Sequence, residues 1–426
     1  MPGVIAEAGR SRLSSSFLRS LKAWLLVLPL LAFIGVTFIV PLGSMLTRSV
    51  HAPVVADALP ETLALLRSWD AAGLPGEAVY AAAAREIRTA RETRTLGQVA
   101  TRINRLKSGL RGVLSRTARQ LRSIGPRPGD HEPERAGQPP DDATPWRDTL
   151  LGIDDAWGEA DTWLAIRRAG ERFTARHYLN ALDLTQSVDG GVVAQPPELR
   201  IYLPLLGRTL LVSLAITVLC LVLGYPVAYL IAQAPPKRAN LLLLLVLVPF
   251  WTSLLVRTTS WIVLLQSQGV VNDLLVAAGL LGDEDRLAMI YNMTGTMVAM
   301  THVLLPFMVL PLYSVMRTIP PHYMRAATSL GGTFFQAFRR VYWPQTLPGV
   351  GAGSLLVFIL AIGYYITPAL VGGRTGQLIS NMIAYHMQQS LNWGLAAALG
   401  GLLLVCVVAL YLVFDRLVGV DRMRLG

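Results

Sequence analysis

Arg257 stands inside an apolar run, Leu241 to Leu265, where a charge is costly enough to mark a functional position by default. Two uses fit it. One is contact with a passing solute, or gating, in partnership with a neighbour or a second subunit. The other is snorkelling or structural hydrogen bonding near the end of the run. Four rings lie in comparable runs: Trp251 and Trp261 around Arg257, and Tyr364 with Tyr365 further along. Aromatic faces attract organic cations, and they also serve as plain core packing. No Asp or Glu sits securely within an apolar run, Asp273 being the nearest, so a polycation would need carboxylates from another subunit. His, Asp, Glu and Cys do not cluster in the runs, and no Gly-rich phosphate loop with a lysine is present. Cys220 and Cys406 make neither a metal-ligand spacing nor a disulfide framework. His177, isolated from other ligand-type residues, reads as a surface residue. The chemistry expected is recognition and passage, with no catalytic residue, metal or cofactor.

The elements that must position these residues follow from composition. The chain has 426 residues, of which 53% are hydrophobic and 15% charged, and its mean hydropathy is +0.46. Soluble domains carry about a quarter charged residues, so a cytosolic enzyme and a disordered chain are both excluded. A bilayer-crossing helix needs roughly 20 mostly apolar residues, and six runs qualify. They are Ala23–Leu46, Leu210–Ala232, Leu241–Leu265, Met293–Val315, Val350–Val371 and Leu395–Phe414. The first lacks the small-residue cleavage site of a removed signal peptide and reads as an uncleaved anchor. Pro226, Pro306, Pro311 and Gly363 are tolerable because membrane helices re-satisfy freed backbone groups.

The formal charge of +11 could suggest a nucleic-acid binder, but its location says otherwise. Residues 49–200 hold 20 acids and 20 bases, so they carry no net charge. Six spans put the two termini, Lys237 and Arg238, and the loop with Arg317, Arg325, Arg339 and Arg340 on one side. That side holds 13 bases and only Glu7, Asp415 and Asp421. By the positive-inside rule both termini are cytoplasmic and residues 49–200 are external. The partner implied is a lipid bilayer and not nucleic acid. The expected organisation is a tail at 1–22, a first span at 23–48, a mostly helical insert at 49–200, a core at 201–420 and a tail at 421–426.

Within the insert, Val99, Ile103, Leu106, Leu110, Val113 and Leu114 recur at helical spacing in a stretch from Pro75 to Ile124 that reads as helix. Gly125–Pro145 reads as a loop, and Arg147–Arg168 as a second amphipathic helix. Two roles stay open: a docking surface for an external partner or anionic headgroups, and a helical hairpin packed on itself with solvated charged faces.

The loop after the fourth run reads Met324-Arg-Ala-Ala-Thr-Ser-Leu-Gly-Gly-Thr-Phe-Phe-Gln-Ala-Phe-Arg-Arg-Val-Tyr-Trp-Pro344. Two adjacent alanines leave a helix face free of bulk, so it can lie close against a partner. A glycine shortly after permits the left-handed turn that ends a short helix. Phe334, Phe335, Phe338 and Val341 would anchor a second short helix on the bundle, and Pro344 would stop it before the next span. Without a partner the same segment would be an interfacial amphipathic connector.

This loop resembles the coupling loop of binding-protein-dependent ABC importer permeases, Glu-Ala-Ala, three residues, Gly, nine residues, Ile, one residue, Leu-Pro. Ala326, Ala327, Gly331, Val341 and Pro344 match; Arg325 stands in place of the acid and Trp343 in place of the leucine. Leu223–Leu230, Leu247–Arg257, Gln268–Asp273, Leu304–Tyr313 and Pro368–Gly373 look like the corresponding segments of the spermidine/putrescine-type permeases. The likeness covers the first span and about residues 178 to 420, and leaves out the insert. It implies an all-α, polytopic six-helix permease core, with the insert added between the first two spans and residues 318–346 as the coupling loop. It further implies a bacterial inner-membrane subunit, itself no enzyme, beside a second permease subunit, a cytoplasmic ATPase dimer and an external solute-binding protein. Arg325, Ala326, Ala327, Gly331, Val341 and Pro344 would then carry ATPase coupling. The first solute expected is a polyamine-like cation. Another small solute (an opine, an amino-acid derivative or an iron chelate) remains an alternative, as does a membrane scaffold or receptor working through its insert.

Overall fold

The computed structural model describes residues 24–124, 145–186 and 191–418. The N-terminal tail, most of the Gly125–Pro145 loop and the C-terminal tail lie outside the described residues. The chain divides into two compact units, one of residues 1–177 with 186–192, the other of residues 178–185 with 193–426.

The first unit opens with α1 (Trp24–Val50), which is apolar and almost wholly exposed, with a mean window hydropathy of 2.6. Beyond it come α2 (Val54–Ala58), α3 (Pro60–Arg67), α4 (Glu77–Glu92), α5 (Leu96–Asn104), α6 (Leu110–Ile124), α7 (Trp146–Ile153) and α8 (Ala160–Ala169). The continuous helix expected from Pro75 to Ile124 is in fact three helices. The backbone turns left-handed at Arg94 (φ 60°) and Gly109 (φ 94°), and each turn breaks the ladder. The helix expected at Arg147–Arg168 is likewise broken: Asp154 leaves the helical region and its carboxylate accepts from Ala156 N–H at 3.2 Å to start a short 3₁₀ turn. These pieces close on one core in which Tyr80, Trp157 and Trp163 have no exposure. Each polar ring atom there is satisfied. Tyr80 and Trp163 donate to the Trp157 carbonyl (2.9 and 3.1 Å), and Trp157 donates to Thr117 (2.9 Å). The chain enters and leaves this body side by side. Ala52 N–H donates to Arg172 and Thr174 N–H to Val50, both at 2.8 Å.

His177, at the start of α9 (Arg176–Ala181), is buried rather than on the surface. It is 7% exposed. Burial pushes its pKa down to about 4, with Arg102, Arg105 and Arg176 adding to the shift.

A short two-stranded ladder, Leu184–Gln186 against Val192–Ala194, precedes α10 (Tyr202–Gln233), the first long helix of the second unit. The buried Asp183 carboxylate accepts from the N–H groups of Ile201, Tyr202 and Leu203 at 2.8–3.1 Å. It thereby satisfies donors that a helix start otherwise leaves open. Next come α11 (Pro236–Trp251), α12 (Leu254–Leu265), α13 (Val270–Ala277), α14 (Met293–Thr318) and α15 (Pro321–Ser329). They are followed by α16 (Phe334–Ala337), α17 (Trp343–Gly363), α18 (Ile366–Val371), α19 (Ile379–Gln388) and α20 (Trp393–Val418). The core is the α10–α14–α17 bundle, where Ile216, Cys220, Met300, Leu304, Met308 and Val357 have no exposure. Pro226, Pro306 and Pro311 all sit inside unbroken helices.

Among the described residues five helices are long and apolar enough to cross a membrane, and a sixth if one bent pair counts as a span. That pair is the third expected run. Instead of one helix over Leu241–Leu265, Pro236–Trp251 and Leu254–Ala277 meet at 95°. Thr252 and Ser253 are extended, and the Ser253 hydroxyl caps the new helix by accepting from Val256 N–H at 3.2 Å. The fifth run also departs from expectation, since its helix ends at Gly363 and restarts at Ile366.

Candidate functional site

The loop after α14 forms a rigid, outward-facing element. No residue of α15 is buried, and Ala326 and Ala327 lie on it with Arg325. Its end is closed by three main-chain bonds: Leu330 and Gly331 N–H donate to Ala326 and Thr328 at 3.1 and 3.0 Å, and Gly332 N–H to Ala327 at 3.2 Å. The turn needs φ +90° at Gly331, which a side chain resists. Thr333 and Gln336 then form a reciprocal capping box, with side chain and backbone exchanged at 3.3 and 3.0 Å.

From Phe334 the helix does not stop at Pro344. It runs through to Gly363 as a single 30-residue span, by way of a π turn at Phe338–Tyr342. In that wide turn Trp343 N–H reaches back to the Phe338 carbonyl. The Val341 carbonyl is taken by the Gln345 side-chain amide at 2.7 Å. Pro344 therefore falls in the first turn of α17, where no N–H is required of it. Of the four anchors expected, Phe338 packs on the bundle and Phe334 and Phe335 do not. Phe338 packs on Tyr229 and Tyr342 with ring centroids 6.0 and 5.6 Å apart, and Ala337 and Tyr342 are buried. Phe334 and Phe335 are instead 63% and 69% exposed, and Leu330 is 89% exposed.

The pathway candidates fall at the two helix breaks. Trp251 ends α11 and is 72% exposed. Arg257 lies in the first turn of α12, its Nε buried and without a hydrogen-bond partner among the described residues. Its charge reaches both His302 on α14 and Tyr364. Trp261 donates from Nε1 to His302 Nδ1 at 3.2 Å, with the rings 5.3 Å apart. Tyr364 and Tyr365 occupy the break between α17 and α18. There Ser380 donates to the Tyr364 carbonyl at 2.6 Å and Asn381 to the Tyr365 carbonyl at 2.9 Å. The structure thus brings Arg257 and Trp261 to His302 and Tyr364 to Arg257, and leaves Trp251 and Tyr365 outside that group. Sequence reasoning missed His302, although an imidazole within an apolar run is itself a signal. Among the described residues no group of three or more His, Cys, Asp or Glu is placed to hold a metal.

The pattern of the family described as "Binding-protein-dependent transport system inner membrane component" matches residues 224–420, which include both groups of residues. The chain is 35% identical over 216 residues to the spermidine/putrescine transport system permease protein PotB of Haemophilus influenzae, covering 51% of this chain and 75% of that one. The protein of the same name from Escherichia coli is also 35% identical over 216 residues, covering 51% and 78%. The inner membrane ABC transporter permease protein YdcU of Escherichia coli is 32% identical over 226 residues, covering 50% and 70%.

Proposed function

Because the chain belongs to the family of binding-protein-dependent transport system inner membrane components, and so is a multi-pass permease subunit of an ABC importer and not an enzyme, we propose how it works within one. A cytoplasmic ATPase dimer docks on α15 and moves it, and the α16–α17 helix carries that motion into the bundle. The observation that carries this reading is the exposed α15, closed at Gly331 and followed by a helix unbroken from Phe334 to Gly363. Arg325, Ala326, Ala327 and Gly331 form the contact, while Val341 and Pro344 lie in the rigid continuation. ATP binding and hydrolysis favour different facings of the bundle, and that difference in affinity drives alternating access. With the bent pair counted as one span, both termini are cytoplasmic and the insert is external. An external solute-binding protein delivers the solute, and a second permease subunit completes the pore.

The names of the PotB relatives support a polyamine-like cation as first solute, with Trp251, Trp261, Tyr364 and Tyr365 offering aromatic faces along the path. One observation favours a second reading. No Asp or Glu occurs between Glu198 and Asp273 or between Asp285 and Asp415, whereas Arg257 and His302 lie together. A solute bearing a carboxylate, such as an opine, an amino-acid derivative or an iron chelate, suits that lining better. Reconstitution with the ATPase and candidate binding proteins tests both. Stimulation of ATP hydrolysis by a polyamine-loaded binding protein selects the first, and stimulation by an anionic solute's protein selects the second. If no ATPase co-purifies and Gly331→Leu leaves uptake unchanged, the importer reading fails and a scaffold working through the insert takes its place.

A further inference from the structure

Beside α15 lies a cleft of about 230 Å³, lined among others by Tyr229, Gln233, Met324, Arg325, Phe334 and Tyr342. Arg325 on its lining is exposed. Tyr342 is 2% exposed, and its ring packs on Tyr229 and Phe338 with centroids 5.4 and 5.6 Å apart.

The charges around the cleft are of one sign. Arg317, Arg325, Arg339, Arg340, Lys237 and Arg238 are all exposed, and no acid occurs in the sequence from Arg286 to Phe414. Among the described residues no carboxylate pairs with Arg325, Arg339 or Arg340; the ion pairs of this unit are those of Arg286 with Asp273 and Asp283. Arg317 alone of the nearby cations has a main-chain acceptor, the Ala232 carbonyl at 3.1 Å. A guanidinium beside aromatic and amide groups, in a recess with room for one side chain, is a receptor for a carboxylate.

We infer that this cleft receives an acidic side chain of the ATPase, with Arg325 as its ion-pair partner. The inference rests on the importer reading above and adds the chemistry of the contact. The ATPase surface that takes α15 is acidic where it meets Arg325, and apolar where it meets Leu330, Phe334 and Phe335. Arg325 thereby selects which ATPase this permease accepts, because a basic residue opposite it would be repelled.

The experiment uses the full chain in detergent with its ATPase subunit, measuring the dissociation constant of the pair at low and high salt. Arg325→Glu weakens binding at least tenfold, Arg325→Gln less, and Arg325→Lys least. The salt dependence seen with the wild type flattens in Arg325→Gln. Changing the acids of the ATPase groove to Arg, one at a time, finds one that restores binding to Arg325→Glu. Since no residue of α15 is fully buried and Arg325 is exposed, a variant that elutes as the wild type does has kept its fold. Undiminished ATPase binding by a monodisperse Arg325→Glu overturns the inference while leaving the importer reading intact. So does a loss confined to binding of phosphatidylglycerol vesicles, which would assign Arg325 to lipid. A wild-type chain that binds no ATPase overturns both.

Discussion

At the scale of single residues, the two positions that differ most from a bland reading are an imidazole and a guanidinium. His177 is buried among Arg102, Arg105 and Arg176, and its pKa is lowered from 6.5 to about 4. Unfolding frees it to take up a proton below pH 6.5. The folded form resists that until about pH 4, so stability is full above 6.5 and declines as the pH falls between the two values. The loss approaches about 3 kcal/mol at the acid end. Urea midpoints followed by the near-ultraviolet signal of Trp157 and Trp163 should drop from pH 7 to pH 4.5, and His177→Gln should remove most of that slope. Arg257 makes the opposite case. Its Nε is unpartnered, so Arg257→Gln costs little stability, within about 1 kcal/mol, yet lowers uptake at least tenfold if the group touches the solute. A melting temperature lowered in step with uptake would show a structural role instead. Arg257 was legible because a charge in an apolar run stands out. His302 carried the same signal, but composition gives no hint of which helix lies opposite it, and His177 misled because its burial depends on a fold that brings Arg102 and Arg105 near it.

At the scale of elements, the apolar runs could be read from hydropathy, while the breaks inside them could not. Leu241–Leu265 has the length and hydropathy of one span, yet at Thr252 and Ser253 the backbone is extended, Ser253 caps a new helix, and the two helices meet at 95°. Pro344 shows the reverse error. It falls just after a π turn, in the first turn of α17, and the helix passes through it, as helices also do at Pro226, Pro306 and Pro311. Small residues matter most where helices touch. A Cβ on Gly353 would lie 2.8 Å from Met308 Sδ and 3.3 Å from the Met308 carbonyl, in the α14–α17 seam. Gly353→Val should therefore cost about 1–3 kcal/mol, seen as a lower melting temperature in detergent. Gly331→Ala meets no atom within 4 Å, so its cost is the left-handed backbone alone, about 1–2 kcal/mol. Its folded fraction should remain high while solute-stimulated ATP hydrolysis falls. Equal losses in both would place Gly331 in the fold rather than in coupling.

At the scale of the whole molecule, the insert joins the chain through one paired strand crossing. Val50 and Ala52 bond to Thr174 and Arg172, so the two ends of the intervening body are about 5 Å apart. Joining Ala52 to Arg172 through a two-residue turn should leave a permease that still inserts and still recovers the ATPase. Loss of insertion would mean that residues 53–171 are needed to build the core. The same body expressed alone should fold around Trp157 and Trp163, since its core is its own.

The unbroken helix from Phe334 to Gly363 fixes a conversion between angle and distance. Thirty residues at 1.5 Å each make a rod about 45 Å long, so a tilt of about 10° displaces one end by about 8 Å relative to the other. On the proposed coupling, a push on the Phe334 end would therefore reach the Tyr364–Tyr365 break, where the rod ends, and a tilt of about 10° would suffice for a displacement of about 8 Å there.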